Sequence, residues 1–213
     1  DLIGAIQHPE DRYIQPADLT QALATGARNR GAEIYRNTNV IGIKQTKTGW
    51  VVETDKGNIE CEHVMSCSGN FARQTGKMVG LEIPVIPVEH QYIVTEPHPE
   101  IQKRKKEGLP EMGVLRDSDS RWYMREEAGG LILGPYEDGA PCCYVDGPSK
   151  DSEYELFQED LDRLAPHIEG AIHRVPAFGE VGVKKVYNGA ICYTPDGNPI
   201  VGPAWGLKNF WIN

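Results

Sequence analysis

Between residues 83 and 96 the chain becomes a β-rich run headed by two prolines, Pro84 and Pro87, and this run separates two kinds of sequence. A period of two puts Val88, His90, Tyr92 and Val94 on one face and Glu89, Gln91, Ile93 and Thr95 on the other. Further strand signals follow at residues 113–116, 121–125 and 131–135, separated by polar turns, which predicts an antiparallel unit. An amphipathic helix is expected over residues 151–164, with Tyr154, Phe157, Leu161 and Leu164 on one face and Pro166 as its stop.

The stretch before this run has a different rhythm. A helix starts near Pro16-Ala17-Asp18, where proline is tolerated and aspartate suits the positive end of the helix dipole. Leu19, Ala22, Leu23 and Ala27 form its apolar stripe, and Gly31 supplies a stop. Short strands are expected at residues 32–35 and 40–43, then a hairpin of residues 50–54 and 59–62 around the turn at 55–58. Residues 63–67 form a strand that runs into Ser68-Gly69-Asn70, and residues 71–79 read as a helix. The order helix, strand, hairpin, strand, glycine turn, helix is that of a mixed α/β nucleotide-binding domain. Strands at 181–188 and 190–193 lead to the loop 194–199.

Composition removes several function classes. A net charge of −9 over 213 residues argues against nucleic acid, which needs clustered Lys and Arg. The basic run Lys103-Arg104-Lys105-Lys106 lies between Glu100 and Glu107 and reads as a solvated loop. No apolar run approaches the roughly 20 residues of a membrane helix. The five cysteines, odd in number and without a CxxC pair, read as free thiols rather than a disulfide framework or a metal site.

Four collinear stretches together resemble the FAD-dependent D-amino-acid-oxidase superfamily, and within it the dimethylglycine and sarcosine dehydrogenase branch. They are Pro16-Ala17-Asp18-Leu19 leading to Gly31-Ala32-Glu33-Ile34, then Ser68-Gly69-Asn70-Phe71-Ala72-Arg73. The third is Pro87-Val88-Glu89-His90-Gln91-Tyr92-Ile93-Val94-Thr95, the most specific of the set. The fourth runs from Tyr187-Asn188-Gly189 through Thr194-Pro195-Asp196 to Pro199-Ile200-Val201-Gly202-Pro203, with Ala190 where the family carries proline. The sequence contains no G-x-G-x-x-G, the glycine turn that sets a dinucleotide pyrophosphate on a helix N-terminus.

The resemblance implies an α/β fold: a partial FAD-binding domain over residues 1–82 and 183–213, interrupted by an antiparallel β-rich substrate domain over residues 83–182. The chain opens without Met and ends without a closing helix, so an internal fragment of a longer enzyme is expected. Such a fragment is expected to be inactive, to purify without FAD, and to self-associate through uncovered sheet edges. The implied location is a bacterial cytoplasm or a mitochondrial matrix, with no membrane or nucleic-acid partner.

The implied reaction is oxidative demethylation of a small N-methylated amino acid, dimethylglycine or sarcosine, by hydride transfer to FAD. An iminium forms and water hydrolyses it. The alternatives are another amino-acid oxidase of the same superfamily or a non-catalytic folded fragment that binds no cofactor. An ammonium has no free lone pair to support that iminium, so a base titrating near neutrality is needed beside the amine. Spacing alone leaves His90 open as a structural histidine; the resemblance implies that it faces the flavin and acts as this base. Tyr123 reads either as a core aromatic or, by resemblance, as a hydrogen-bond donor to the substrate. Arg121 and Arg125 share its strand phase and could pair a carboxylate, or could be surface residues. For FAD, the resemblance implies contacts from Val40, which reads equally as a core strand valine, and from Gly69, Phe71, Pro199 and Ile200, with Phe71 standing where the family has tryptophan. Gly69 is needed for a close backbone turn.

Overall fold

The computed structural model describes residues 2–213. In chain order, α1 (Pro16–Arg28) precedes β1 (Val40–Gln45), β2 (Trp50–Thr54), β3 (Gly57–Cys61) and β4 (Val64–Ser66). A 3-10 turn (Gly69–Phe71) leads into α2 (Ala72–Met78), followed by β5 (Ile86–Thr95), α3 (Pro99–Lys106), β6 (Leu115–Asp117), β7 (Trp122–Glu127) and β8 (Gly130–Pro135). Then come α4 (Leu161–Arg174), a second 3-10 turn (Pro176–Glu180), β9 (Val183–Tyr193), β10 (Gly202–Pro203) and β11 (Phe210–Ile212).

These elements form two compact units. One holds the residues up to Gly26, His90–Ala140 and Leu156–Gly189; the other holds Ala27–Glu89, Pro141–Glu155 and Ala190–Asn213. The second unit contains the antiparallel sheet β1-β2-β3 and the sheet β10-β11-β4, in which β11 runs parallel to β4. Its core gathers Ile43, Trp50, Leu81, Ile83, Val85, Phe210 and Ile212. Trp50 meets Phe210 edge to face at 5.2 Å, and its indole N–H donates to the Lys208 carbonyl at 3.1 Å.

The first unit is organised by a sheet in the order β6-β7-β8-β5-β9. β7 and β8 pair over six rungs, closed by a two-residue turn in which Ala128 and Gly129 both have positive φ (50° and 82°). That is the geometry whose twist matches a right-handed pair of strands. Ile93, Trp122, Met124, Leu131 and Leu133 point to one face and form a core with Leu164 and Ala171 of α4 and with Phe178. Helix α4 begins where the Asp160 carboxylate accepts the Arg163 N–H at 3.1 Å. Arg174, in its last turn, donates to Asp117 at 2.7 Å and so ties the helix to β6.

Several boundaries differ from the sequence expectation. No strand forms at residues 32–35; β1 begins only at Val40, and Ile34 and Tyr35 stay exposed with no ladder beside them. The helix expected over 151–164 lies instead at Leu161–Arg174. Pro166 sits near its start rather than at its end, where the loss of one N–H removes a single i→i−4 bond. The basic run at 103–106 is the last turn of α3 rather than a loop, and its cations lie at the negative end of that helix. His98 caps the other end, its Nδ1 accepting the Glu100 N–H at 3.2 Å. The two strands expected at 181–193 are one, β9. The apolar stripe of α1 is present but no residue of that helix is buried.

Candidate active site

Alternation along the strands gives the sheet of the first unit two unlike faces. Gln91, Ile93 and Thr95 of β5 are buried, while His90, Tyr92 and Val94 are half-buried on the opposite side. On β7, Trp122 and Met124 are buried and Tyr123 takes the other face. Register sets Tyr123 beside Arg116 of β6 and Gly134 of β8. A Cβ built on Gly134 would lie 2.2 Å from the Tyr123 ring, so the absence of a side chain there is what lets that ring lie across β8.

The second face is therefore lined with aromatic rings. Tyr136 lies 6.2 Å from Tyr123 and 6.0 Å from His90, centroid to centroid. Tyr92 stacks on Tyr187 at 4.7 Å, with the Lys185 ammonium 4.4 Å from the Tyr187 ring centre. Arg116 donates to the Tyr136 hydroxyl at 2.8 Å. The Tyr123 hydroxyl makes no hydrogen bond among the described residues, and burial, helped by Tyr136, pushes its pKa above the ordinary phenol value. It stays a neutral donor at physiological pH.

His90 is the titratable centre of this face, its side chain 14% exposed. Burial pushes the imidazole pKa below its ordinary value; Glu137 opposes that shift, and the charges of Arg163 and His167 add to it. The outcome is a neutral imidazole near pH 7.

Behind His90 lies a polar cluster. The Glu137 side chain is fully buried, with Oε1 4.0 Å from His90 Nδ1 and Oε2 3.2 Å from Arg163 Nε. Its Oε1 accepts the Gln91 backbone N–H at 2.7 Å, and its Oε2 accepts the Gln91 side-chain amide at 2.8 Å. Gln91 is itself closed on the backbone of Asp160, donating to its carbonyl at 3.1 Å and accepting its N–H at 2.8 Å.

Of the residues singled out in the sequence, His90 and Tyr123 come to this common face, each reaching Tyr136. Arg121 and Arg125 are engaged elsewhere: Arg121 pairs with Asp138, and Arg125 pairs with Glu127 at 2.5 Å and lies 4.5 Å over the Tyr13 ring. Glu137, Arg163 and Tyr136 went unnoticed in the sequence, and Gln91 was placed on its face but not as a partner of Glu137. Glu137 is 46 residues from Gln91, and no local pattern announces a buried carboxylate just past the end of a strand.

The FAD candidates lie in the second unit. Val40 opens β1 and is exposed. Gly69, with φ of 52°, starts the 3-10 turn after β4, and the space around a built Cβ is empty for 4 Å. Phe71 is half-buried at the end of that turn. Pro199 is exposed beside a loop that Asp196 holds by accepting from Thr194 Oγ1 at 3.0 Å and from the Asn198 N–H at 3.1 Å. Ile200 packs against the core of this unit.

The profile of the family described as DAO, FAD dependent oxidoreductase, matches residues 1–213. The chain belongs to that family. Within the FAD dependent oxidoreductases it is 40% identical to the human mitochondrial dimethylglycine dehydrogenase, over 99% of this chain and 25% of that protein. It is 33% identical to the mouse mitochondrial sarcosine dehydrogenase, over 100% of this chain and 23% of that protein. The chain thus spans about a quarter of the length of these curated relatives. Among solved structures, the L-proline dehydrogenase of P. horikoshii superposes with a TM-score of 0.73 at 24% identity, over 92% of this chain and 49% of that one. The family uses FAD, and its members here are of the amino-acid oxidase and dehydrogenase type. Among the described residues no group of His, Cys, Asp and Glu could hold a metal ion, and no helix is long and apolar enough to cross a membrane.

Proposed function

We propose that the protein to which these residues belong oxidises a small N-methylated glycine, dimethylglycine or sarcosine. The observation that carries this reading is the half-buried, neutral His90 on a face shared with the unpartnered Tyr123 hydroxyl. A neutral imidazole accepts the proton of the bound ammonium and leaves the amine lone pair free. The Tyr123 hydroxyl, kept protonated by burial, donates to the substrate carboxylate without bringing a charge of its own. The rings of Tyr92, Tyr136 and Tyr187 give N-methyl groups an apolar lining. The likeness to the dimethylglycine and sarcosine dehydrogenases supports the same substrate class.

The second unit fits the cofactor in its accessible residues. The open backbone at Gly69 admits a close approach, and Val40 and Pro199 are exposed. Val40, Gly69, Phe71 and Pro199 would hold FAD, with Ile200 acting through its packing beneath the loop. Bound FAD would supply the hydride acceptor for the N-methyl carbon.

The test is single-turnover reduction, followed by flavin bleaching in the FAD-loaded protein. Dimethylglycine or sarcosine should bleach the flavin faster than glycine or proline; bleaching by neither overturns the substrate class. His90→Ala should slow the step by about 10²–10⁴-fold and flatten its pH dependence. Near-normal reduction with an unchanged pH profile would return His90 to a packing role.

A further inference from the structure

Glu137 has more partners than packing requires. A buried carboxylate carries a large desolvation cost unless its lone pairs are met. Here Gln91 meets it with two hydrogen bonds, Arg163 adds the opposite charge at 3.2 Å, and the arrangement is braced by the Asp160 backbone. Arg163 is also 3.3 Å from the Asp160 carboxylate, which has 44% of its side chain exposed, so its guanidinium serves two anions. On the aromatic face the cluster meets His90, 4.0 Å from Glu137 Oε1. That distance is too long for a direct hydrogen bond and short enough for strong charge coupling.

We infer that Glu137 and Arg163 are positioning residues for His90: a braced, buried ion pair whose carboxylate offsets the charge the imidazole gains when it takes the substrate's proton. The inference rests on the reading of His90 as that proton acceptor. The groups facing His90 are Glu137 just beyond β8, Arg163 and His167 of α4, and the Tyr136 ring. With the pair intact its two charges largely cancel at the imidazole, so burial decides and His90 rests neutral. When His90 becomes an imidazolium, Glu137 is the anion beside it, while Arg163 keeps the attraction from becoming permanent protonation. Removing either partner should therefore move His90 in opposite directions. An isolated opposite charge within about 4–6 Å moves a pKa by roughly 1–3 units, which sets the scale.

The experiment follows the His90 ring carbon by NMR across pH in the FAD-loaded protein, assigned by its loss in His90→Ala. Glu137→Gln should lower the His90 midpoint by roughly one unit or more, since Arg163 and His167 then act unopposed. Arg163→Met should raise it by a similar amount, and the double variant should return it toward the parent. If Glu137→Gln does not fold, Arg163→Met decides alone: an upward shift supports the inference, and an unmoved or lowered midpoint overturns it. Midpoints that stay put in both single variants, or move the same way, also overturn it, because a scaffold role predicts lost stability and no signed pair of shifts. The pH profile of flavin reduction separates this idea from the one beneath it. Its rising limb should move to lower pH in Glu137→Gln and to higher pH in Arg163→Met. If the NMR midpoints move as expected and the profile does not follow, the coupling stands and the assignment of His90 as acceptor fails.

Discussion

The two faces of the five-stranded sheet lie one residue apart along every strand, yet they follow opposite rules. Trp122, Met124, Leu131, Leu133 and Ile93 on one face are all at most 5% exposed and packed under α4. His90, Tyr92, Tyr123 and Tyr136 on the other face are aromatic, partly exposed and carry polar atoms. The first face holds the unit together through the area it removes from water, at about 25 cal/mol per Å². The second spends little on cohesion; it keeps a hydroxyl without a partner and an imidazole neutral. On the proposed reading, a single strand such as β7 supplies stability through Trp122 and chemistry through Tyr123, and substitutions at the two should fail in different ways.

The largest effect on the fold is expected at Trp122. Trp122→Ala should cost about 3–5 kcal/mol in denaturant unfolding, from lost transfer energy and the cavity left behind. Its indole N–H is buried and has no hydrogen-bond partner among the described residues, and an unmet buried donor costs about 1–3 kcal/mol. Trp122→Phe removes that donor together with part of the ring, so it should cost far less than the change in volume implies. If Trp122→Phe proves as damaging as Trp122→Ala, the indole is held by something other than packing.

Gly134 is where the two faces constrain each other, and its effect should be intermediate. Gly134→Ala puts a methyl group 2.2 Å from the Tyr123 ring. Forced overpacking of this kind costs about 1–3 kcal/mol. The diagnostic is a double variant: Tyr123→Ala empties the space, so adding Gly134→Ala to it should cost almost nothing more. A full additive loss would show that the glycine is needed for backbone reasons and not for the ring.

These contrasts also explain what could be read from the chain alone. The period of two in residues 88–95 put His90 and Gln91 on opposite faces, and the burial of Gln91 beside a half-buried His90 agrees with it. Tyr123 was singled out by resemblance rather than by alternation, and the structure places it on the face opposite Trp122 and Met124. Glu137 and Arg163 were not legible, since their roles depend on chain closure between a strand end and a helix start that lie far apart. The helix start was itself misjudged: Pro166 looks like a stop by local rules, while α4 starts at Leu161, only five residues before it, behind the Asp160 carboxylate that accepts the Arg163 N–H. The short run at 32–35 has strand character but no partner strand, and propensity without a ladder leaves a loop.

The smallest effect on the fold belongs to Tyr123→Phe, and it is the sharpest test of the division between the faces. The change keeps the ring over Gly134 and removes only a hydroxyl that bonds nothing among the described residues, so unfolding should shift by no more than about 0.5 kcal/mol. If that hydroxyl meets the substrate carboxylate, kcat/KM should still fall, by roughly ten- to a hundredfold, the worth of one hydrogen bond to a charged group. The loss should weigh on KM, since the carboxylate is bound before and after the reacting carbon changes. The pH profile should keep its shape, because His90 and its partners are untouched and the burial that neutralises the imidazole is unchanged. A stability loss of several kcal/mol would mean that the aromatic face is core after all. An unchanged KM with a displaced pH limb would mean that Tyr123 acts through His90 and not on the carboxylate.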